Sequence, residues 1–300
     1  MIRLPEEKTL SELFNQIGSG SVKVWCTPSA TAQFHAMCPC PVESQEPQAT
    51  GVDWLVAVGG GSLLDAAKLL RHRTPGLKLA AVPTLWGSGA EASPIAVWSE
   101  NGDKKFLKDD ALLPDILCHV PEFAESLSDS LVQWACGDAW SHALEGFLSP
   151  LASEETRVDL AGVIRGMMEI GICKDARWFK FSALACAGQA QSSVGLIHGI
   201  AHMAEGPTGL GHARLCATLL LPVMLFNKNR SSKWELLAAQ GLSGDEILQA
   251  VSTLFCKEDY ARALTAISGR WNDVLRNPCT RTNSALVRPD DKAFLEEFTP

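Results

Sequence analysis

The chain has 300 residues, of which 46% are hydrophobic and 20% charged, and this balance is typical of a folded globular protein. The formal net charge is −8 at pH 7, and basic residues do not cluster beyond adjacent pairs. Such a charge balance argues against nucleic acid and anionic lipid surfaces as partners. The length is enough to bury a large core and is typical of two domains.

The first residues, MIRLPEEKTLSELF, contain several acids and lack the apolar centre of a signal peptide, so we expect no secretory leader. We also expect no membrane span, because no uncharged apolar run reaches the roughly 18 residues that a span requires. The ten cysteines are scattered, which predicts reduced thiols in a cytoplasmic protein. Cys38 and Cys40 are close together, but without a second pair nearby they indicate an exposed loop rather than half of a zinc site.

Helix and strand patterns alternate in the first part of the chain. A short amphipathic helix is predicted at 11–17, and the segment 28–50 is predicted to be a loop with at most one helical turn. The apolar run at 54–58 predicts a strand that is buried on both faces of a parallel sheet. Further strands are predicted at 22–27, 79–82, 95–98 and 116–120.

Two glycine-rich loops follow predicted strands. The first, Gly59-Gly60-Gly61-Ser62, precedes a helical pattern at 63–71, so the helix N-terminus and the glycine backbone can together hold a phosphate. A plain strand-to-helix turn also uses glycine, and the first loop alone does not decide between the two. The second loop, 83–91, contains glycine and hydroxyl groups. Two such loops at the carboxyl ends of parallel strands are where an open α/β sheet binds its ligand.

Helical periodicity dominates beyond Pro121. The helical segments are 127–148, 154–172, 178–191, 213–226, 234–239, 245–255 and 258–267. The polar tail at 272–288 is predicted to be a surface loop. We therefore expect an N-terminal α/β domain with an open parallel sheet at 1–120, for nucleotide binding, and an all-α C-terminal domain at 121–300, for metal and substrate.

Potential metal ligands occur in pairs with helical spacing. Asp138 and His142 are four residues apart, as are His198 and His202, and this spacing places each pair on one face of a helix. A glycine-containing break at 206–211 lets the chain return His212 to the same place. Carboxylate and imidazole ligands suit Fe²⁺ or Zn²⁺. A single histidine on an amphipathic helix is more often a core or surface group, but two such pairs favour a metal site.

Four motifs, in this order, resemble those of the iron-containing, group III alcohol dehydrogenase family, which is related to glycerol dehydrogenase and dehydroquinate synthase. They are GGGSLLDAAK at 59–68, DAWSHALE at 138–145, the histidines from His198 to His212, and LPVMLFN at 221–227. Weaker similarity extends over residues 22–227, and the remaining C-terminal residues are nearly uninformative.

The resemblance implies an enzyme that transfers a hydride between NAD(H) or NADP(H) and a small alcohol or aldehyde, and it suggests a homodimer. It implies Fe²⁺, with Zn²⁺ as the alternative, and a proton relay through His202. The implied metal ligands are Asp138, His142, His198 and His212. The implied cofactor-binding residues are Gly60, Gly61, Ser62, Asp65, Thr84, Ser88 and Lys104, with Lys105 as a substitute for Lys104.

The chain departs from the family pattern in three places. Leu85 and Trp86 replace a hydroxyl residue and a small residue in the second loop, so we expect the indole to narrow the cofactor or substrate channel. Pro28 replaces an acid that would repel a 2′-phosphate, and this permits NADPH. The segment 28–50 is too short for the strand and helix that the family places there. The sheet therefore either lacks a strand or has a very abbreviated one.

The substrate is barely indicated by the sequence. Arg214, together with the lysines near the second loop, would suit an anionic aldehyde, and the segments 91–105 and 212–219 loosely resemble the branch that reduces phosphonoacetaldehyde. A surface salt bridge explains Arg214 equally well. Two rival functions are a lyase similar to dehydroquinate synthase, for which the sequence lacks a sufficient set of basic phosphate ligands, and a shortened relative that binds a metal or small ligand without catalysis.

Overall fold

The computed structural model describes residues 2–38, 40–100 and 103–298. Within these ranges the principal sheet has five parallel strands in the order β1-β7-β4-β3-β2. In this order β3 and β4 pair with each other near the centre of the sheet. Strand β3 is buried along its whole length, as its apolar sequence WLVAVG predicts. The strands are β1 Glu6–Glu7, β2 Val22–Cys26, β3 Trp54–Gly59, β4 Lys78–Pro83 and β7 Ile116–Leu117, with β5 Ile95–Glu100 and β6 Asp103–Lys108 outside this sheet.

The chain divides into two compact units. The sheet unit comprises Arg3–Leu127 and Lys174–Ala187. The helical unit comprises Met1–Ile2, Ser128–Cys173 and Gly188–Pro300. The fold is therefore an N-terminal α/β region with a parallel sheet and a helical C-terminal part, as expected.

One helical segment late in the chain belongs to the sheet unit, which the sequence did not indicate. The reason is local packing. The Gly87 N–H donates to Ser182 Oγ at 2.7 Å, and the ring of Trp86 meets that of Phe179 edge-on at 5.4 Å between centroids. These contacts hold the segment 174–187 against the second glycine-rich loop. The assignment of nucleotide binding to one unit and of metal binding to the other remains a proposal.

The helices of the first part of the chain are short except for the one that follows the first glycine-rich loop. Helix α1 begins after Thr9, whose hydroxyl accepts from the Glu12 N–H at 3.2 Å while the Glu12 carboxylate accepts from the Thr9 N–H at 2.8 Å. This reciprocal cap satisfies two N–H groups that have no partner within the helix. The helices are α1 Leu10–Ile17, α2 Thr31–Met37, α3 Gly61–Arg73 and α4 Glu122–Glu125.

The second part of the chain is helical. Helix α7 begins in the sheet unit and ends in the helical unit. The helices are α5 Asp129–Leu148, α6 Glu154–Ile170, α7 Arg177–Ser192, α8 Leu196–Thr208, α9 His212–Arg230, α10 Glu235–Ala239, α11 Gly244–Ser252, α12 Lys257–Ile267, α13 Trp271–Arg276, α14 Pro278–Arg281 and α15 Asp291–Glu296. Among the described residues, no helix has the length and apolar character needed to cross a membrane.

Helices α5 and α9 approach each other closely at Gly137. A Cβ at this position would lie 2.4 Å from the Cβ of Ala217, so no larger residue fits without movement of a helix. Asp138 follows Gly137 and Cys216 precedes Ala217, and both side chains are buried. The glycine thus brings two chemically active side chains together.

The strand predicted at 95–98 is not part of the parallel sheet. It is β5, which pairs with β6 in a separate antiparallel ribbon. The basic stretch at 104–108 lies in the second strand of that ribbon. Lys104 lies opposite Ser99, and Lys105 opposite Trp98.

The prediction of a polar surface loop at 272–288 is wrong. The segment contains two short helices, and Asn283 and Thr280 are buried. Burial of the polar Asn283 side chain is possible because both its amide oxygen and its amide nitrogen form hydrogen bonds. Its Oδ1 accepts from the Leu196 N–H at 3.2 Å, and its Nδ2 donates to Asn227 Oδ1 at 2.7 Å.

The abbreviated-strand alternative for the segment 28–50 is the one that the structure shows. After α2, a single residue, Glu43, forms a parallel bridge with Trp25 of β2. The Cys26 N–H donates to the Glu43 carbonyl at 2.9 Å, and the Glu43 N–H donates to the Val24 carbonyl at 2.8 Å. The missing strand is therefore reduced to one residue.

We predict that Gly137→Ala destabilises the protein by about 1–3 kcal/mol, because the new methyl group overlaps Ala217. The matched control is Gly162→Ala on α6, where a Cβ would meet nothing within 4 Å. This control should stabilise by roughly 0.5–1 kcal/mol, because alanine loses less backbone entropy in a helix. Urea unfolding of both variants tests the prediction, and equal stability of the two would contradict the close approach of α5 and α9.

Candidate metal centre

Three helices bring a carboxylate, four imidazoles and a thiol to one place in the helical unit. Each helix contributes a pair with i, i+4 spacing, which lies on one helix face. The Asp138 Oδ1 atom is 4.0 Å from His142 Nδ1 and 3.8 Å from His212 Nε2, and the Cys216 Sγ atom is 3.5 Å from the same His212 nitrogen. The pairs are Asp138 and His142 on α5, His198 and His202 on α8, and His212 and Cys216 on α9.

The imidazole rings form one cluster around His198. Its ring centroid is 4.7 Å from that of His142 and 5.3 Å from that of His212. The His202 ring is stacked on His212 at 5.3 Å and is 6.0 Å from His198. All the histidines that the sequence singled out are therefore neighbours.

One subset of these residues has the geometry of a cation site. Single ligand atoms of Asp138, His198, His212 and Cys216 all lie within 4.8 Å of one another. Among the described residues, Asp138 Oδ1 and His198 Nε2 are buried without a hydrogen-bond partner. Leaving a buried polar atom unsatisfied costs about 1–3 kcal/mol. A cation between these atoms would satisfy both, so the donor set fits a divalent metal.

A buried carboxylate, Glu145, orients His198. It accepts hydrogen bonds from the Gly195 N–H at 2.7 Å, the Ile197 N–H at 2.6 Å and His198 Nδ1 at 2.8 Å. The proton of His198 is therefore on Nδ1, which leaves the lone pair of Nε2 directed at the other ligands. Burial raises the pKa of Glu145 to about 7, against the lowering effect of hydrogen bonds from the backbone of Gly195, Ile197 and His198.

Glu145 also caps helix α8. The N-cap residue, Gly195, has no side chain with which to accept from the first N–H groups. Glu145 and Asn283 supply the missing acceptors. In the sequence, Glu145 stands out only as the last residue of the DAWSHALE motif. Its spacing of seven residues from Asp138, two helical turns on the same face, was the signal for its role.

His198 and His212 are neutral near pH 7. Burial lowers the pKa of His212 to about 3, and the neighbouring imidazoles lower it further while Asp138 opposes the shift. Burial also holds the pKa of His198 well below its usual value. Neutral imidazole is the form that binds a cation.

A cysteine from the C-terminal part of the chain lies beside His202. The distance from Cys279 Sγ to His202 Nδ1 is 3.9 Å. Helix α14, which carries Cys279, belongs to the segment for which the sequence predicted only a loop. No sequence signal identified this contact.

The two glycine-rich loops of the sheet unit meet at the carboxyl ends of β3 and β4. The Thr84 N–H donates to the Gly59 carbonyl at 3.1 Å. Ser88 lies against the first turn of α3, where a Cβ added to Gly61 would be 2.7 Å from Ser88 Oγ. A Cβ added to Gly60 would meet no atom within 4 Å, so there is space beside the backbone at the N-terminus of α3. A phosphate group fits such a position.

Asp65 and Lys68, which belong to the first motif, make contacts away from the glycine loop. The Asp65 carboxylate lies 2.8 Å from Lys68 Nζ and accepts from the Val97 N–H at 3.1 Å. Lys68 is fully buried and donates to the carbonyls of Ala90 at 2.8 Å and Ser93 at 3.1 Å. This pair holds the second loop and the ribbon against α3. A direct role of Asp65 in cofactor binding stays a prediction.

The Trp86 indole is 1% exposed and packs edge-on against Phe179. It lies inside the sheet unit, contrary to the expectation of a side chain that projects into a channel. Lys104 and Lys105 are exposed on β6.

The salt-bridge interpretation of Arg214 agrees with the structure. The guanidinium makes two hydrogen bonds to Asp259, from Nε to Oδ2 at 2.6 Å and from Nη2 to Oδ1 at 2.8 Å. It also lies over the ring of Trp134 at 4.8 Å. Because Asp259 is buried and neutralises this charge, Arg214 is a poor anchor for an anionic substrate.

Comparison with known proteins gives concordant matches. Residues 44–120 match the family model described as iron-containing alcohol dehydrogenase. The chain is 30% identical to the 1-propanol dehydrogenase PduQ of Salmonella typhimurium over 217 residues, 67% of this chain and 57% of that protein. It is 32% identical to maleylacetate reductase 2 of Cupriavidus pinatubonensis over 186 residues, 59% of this chain and 51% of that protein. The chain thus spans little more than half the length of these relatives.

Solved structures share the fold. An iron-containing alcohol dehydrogenase from Thermococcus thioreducens superposes with a TM-score of 0.78 at 18% identity, covering 99% of both chains. One from Corynebacterium glutamicum gives a TM-score of 0.79 at 21% identity, covering 98% of this chain and 94% of the other. Because the family model, the curated relatives and the four sequence motifs all agree, this chain belongs to the iron-containing alcohol dehydrogenase family.

Proposed function

We propose that this chain is a metal-dependent oxidoreductase that transfers a hydride between NAD(H) or NADP(H) and a small alcohol or aldehyde. The observation that carries the proposal is the ligand cluster of the helical unit, in which buried Asp138 Oδ1 and His198 Nε2 have no hydrogen-bond partner among the described residues. The family membership supports the reaction class.

Asp138, His142, His198 and His212 would hold the divalent cation, with Fe²⁺ expected and Zn²⁺ as the alternative. When bound, the cation supplies Lewis-acid polarisation of the substrate oxygen. Glu145 keeps the Nδ1 proton of His198 in place, so that Nε2 stays available as a ligand atom.

His202 transfers the proton. It stands next to the ligand cluster, with its ring stacked on that of His212 at 5.3 Å between centroids. It is half-buried, so its ring has access to both the cluster and solvent. Reduction of a carbonyl leaves an oxygen that must gain a proton, and the His202 imidazole is a side chain that can supply one.

The glycine loops bind the cofactor. Gly60, Gly61 and Ser62 present the N-terminus of α3 to the pyrophosphate, and Thr84 and Ser88 line the same position from the second loop. Lys104, which is exposed on β6, would bind the ribose. When bound, a nicotinamide would supply the hydride-transfer chemistry.

An uncharged substrate fits the site better than an anionic one. Arg214, the cation closest in sequence to the ligand His212, is already paired with Asp259. Phosphonoacetaldehyde, the anionic candidate, would have to compete with this buried carboxylate. We therefore expect short aliphatic alcohols and aldehydes to be turned over faster than anionic aldehydes.

The reaction is tested with full-length protein that is stripped of metal and reloaded anaerobically with Fe²⁺ or with Zn²⁺. We expect oxidation of NADH or NADPH to accompany reduction of propanal, and slower turnover of phosphonoacetaldehyde. Equimolar accumulation of oxidised cofactor separates a dehydrogenase from a lyase that recycles its cofactor. Absence of turnover with every small alcohol and aldehyde, in protein that holds the metal, would refute the proposal.

The histidine roles are distinguished by two substitutions on α8. His198→Ala should lose the metal because it removes a direct ligand. His202→Ala should keep the metal and lower kcat by about 10²–10⁴-fold, the range for loss of a general acid or base. Metal content by mass spectrometry and steady-state kinetics are the measurements. His72→Ala, which changes an exposed histidine of the sheet unit, is the control. Equal metal loss in both α8 variants would contradict this division of roles.

Glu145→Gln should weaken metal binding by about 10–100-fold, the usual cost of removing a partner that orients a metal-binding histidine. Glutamine keeps the size of the side chain but loses the charge and one acceptor. Competition with a chromophoric chelator measures the affinity. The control is Glu169→Gln on α6, an exposed position. Unchanged affinity in Glu145→Gln would show that His198 is oriented by other groups.

A further inference from the structure

We infer that Cys216 is a direct ligand of the metal, alongside the family's carboxylate and imidazole ligands. This inference rests on the proposed function, because it adds a sulfur donor to the same site. Its basis is the position of the thiol, which lies in the subset with Asp138, His198 and His212 whose ligand atoms are all within 4.8 Å of one another.

The separations within this subset agree with coordination to one cation. Zinc–sulfur and zinc–nitrogen bonds of about 2.3 and 2.0–2.1 Å, at a tetrahedral angle, place the two ligand atoms about 3.5 Å apart. The observed separation of Cys216 Sγ and His212 Nε2 is 3.5 Å. His212 Nε2 is in turn 3.8 Å from Asp138 Oδ1. The thiol therefore already lies at the separation from His212 Nε2 that binding to the same cation requires.

The position of the thiol is determined by helix packing. Ala217, the next residue, packs on Gly137, which precedes Asp138. Cys216 is fully buried one helical turn after His212, so its Sγ cannot turn towards solvent. The contact between Gly137 and Ala217 therefore places Asp138 of α5 and Cys216 of α9 close to each other.

The usual role of a buried cysteine is that of a small apolar side chain that fills the core. The surroundings of Cys216 do not suit this role. They include a carboxylate oxygen and an imidazole nitrogen, Asp138 Oδ1 and His198 Nε2, that are buried without hydrogen-bond partners among the described residues. These atoms and the thiol face one another across the same small volume.

Binding at this position is a simple exchange. The sulfur–hydrogen bond of Cys216 breaks, a sulfur–metal bond forms, and the proton leaves to solvent. No oxidant is needed. A thiolate is a soft ligand, so its presence favours Zn²⁺ and Co²⁺ over hard cations such as Mg²⁺ and Mn²⁺. The chain should therefore select thiophilic metals more strongly than a site of nitrogen and oxygen atoms alone.

The probe for this ligand is Co²⁺ alone, added to metal-free full-length protein. The wild type should show a near-ultraviolet absorption band from thiolate-to-cobalt charge transfer, together with visible d–d bands. Cys216→Ser should lose the near-ultraviolet band and keep visible bands. It should also bind Co²⁺ at least 10-fold more weakly, because even the loss of a group that only orients a metal ligand weakens binding by about 10–100-fold. Cys118→Ser, which changes a buried thiol of the sheet unit, should retain the band.

X-ray absorption of the wild-type protein loaded with Zn²⁺ gives a test that does not depend on the folding of a variant. We expect one sulfur atom in the coordination shell at about 2.3 Å. Metal binding without a sulfur neighbour or a charge-transfer band overturns the role of Cys216 and leaves the proposed function standing. Failure of the wild type to bind Co²⁺ or Zn²⁺ overturns both.

Discussion

The buried Glu145 carboxylate is the interaction on which the arrangement of the helical unit depends. It lies on α5, yet it accepts from the N–H groups of Gly195 and Ile197 at the start of α8 and from the ring of His198. Burying a carboxylate is costly unless it is fully hydrogen-bonded, and these three donors offset that cost. One side chain therefore determines where α8 begins, how it is placed against α5, and which nitrogen of His198 is available as a ligand.

Much of this site could be predicted because its signals are local. The i, i+4 pairs place Asp138 with His142 and His198 with His202 on single helix faces, and the glycine loop predicts the start of α3. Cys216 follows His212 with the same spacing and was missed because no motif drew attention to it. The contributions of Asn283 and Cys279 could not be predicted, since their partners are 87 and 77 residues away in sequence.

The sheet illustrates a different limit of sequence analysis. The apolar run of β3 predicts a buried parallel strand, because a strand covered on both faces must be apolar throughout. The periodicity of β5 does not indicate whether the strand joins the sheet or a ribbon. That choice depends on Lys68, whose buried ammonium binds carbonyl groups of the chain that leads into β5, and on Asp65, which binds the β5 backbone. Charged residues within a helix are ordinarily interpreted as surface groups, so the pattern conceals this role.

The single bridge at Glu43 has a consequence for self-association. An exposed strand edge is a template on which a second chain can add a strand. At the edge of β2, Glu43 already takes up the Cys26 N–H and the Val24 carbonyl, and its side chain forms an ion pair with Lys23. A lysine and a glutamate at an edge oppose the docking of another strand. The shortened segment at 28–50 thus protects the edge of β2 against aggregation, although only one of its residues pairs with the strand.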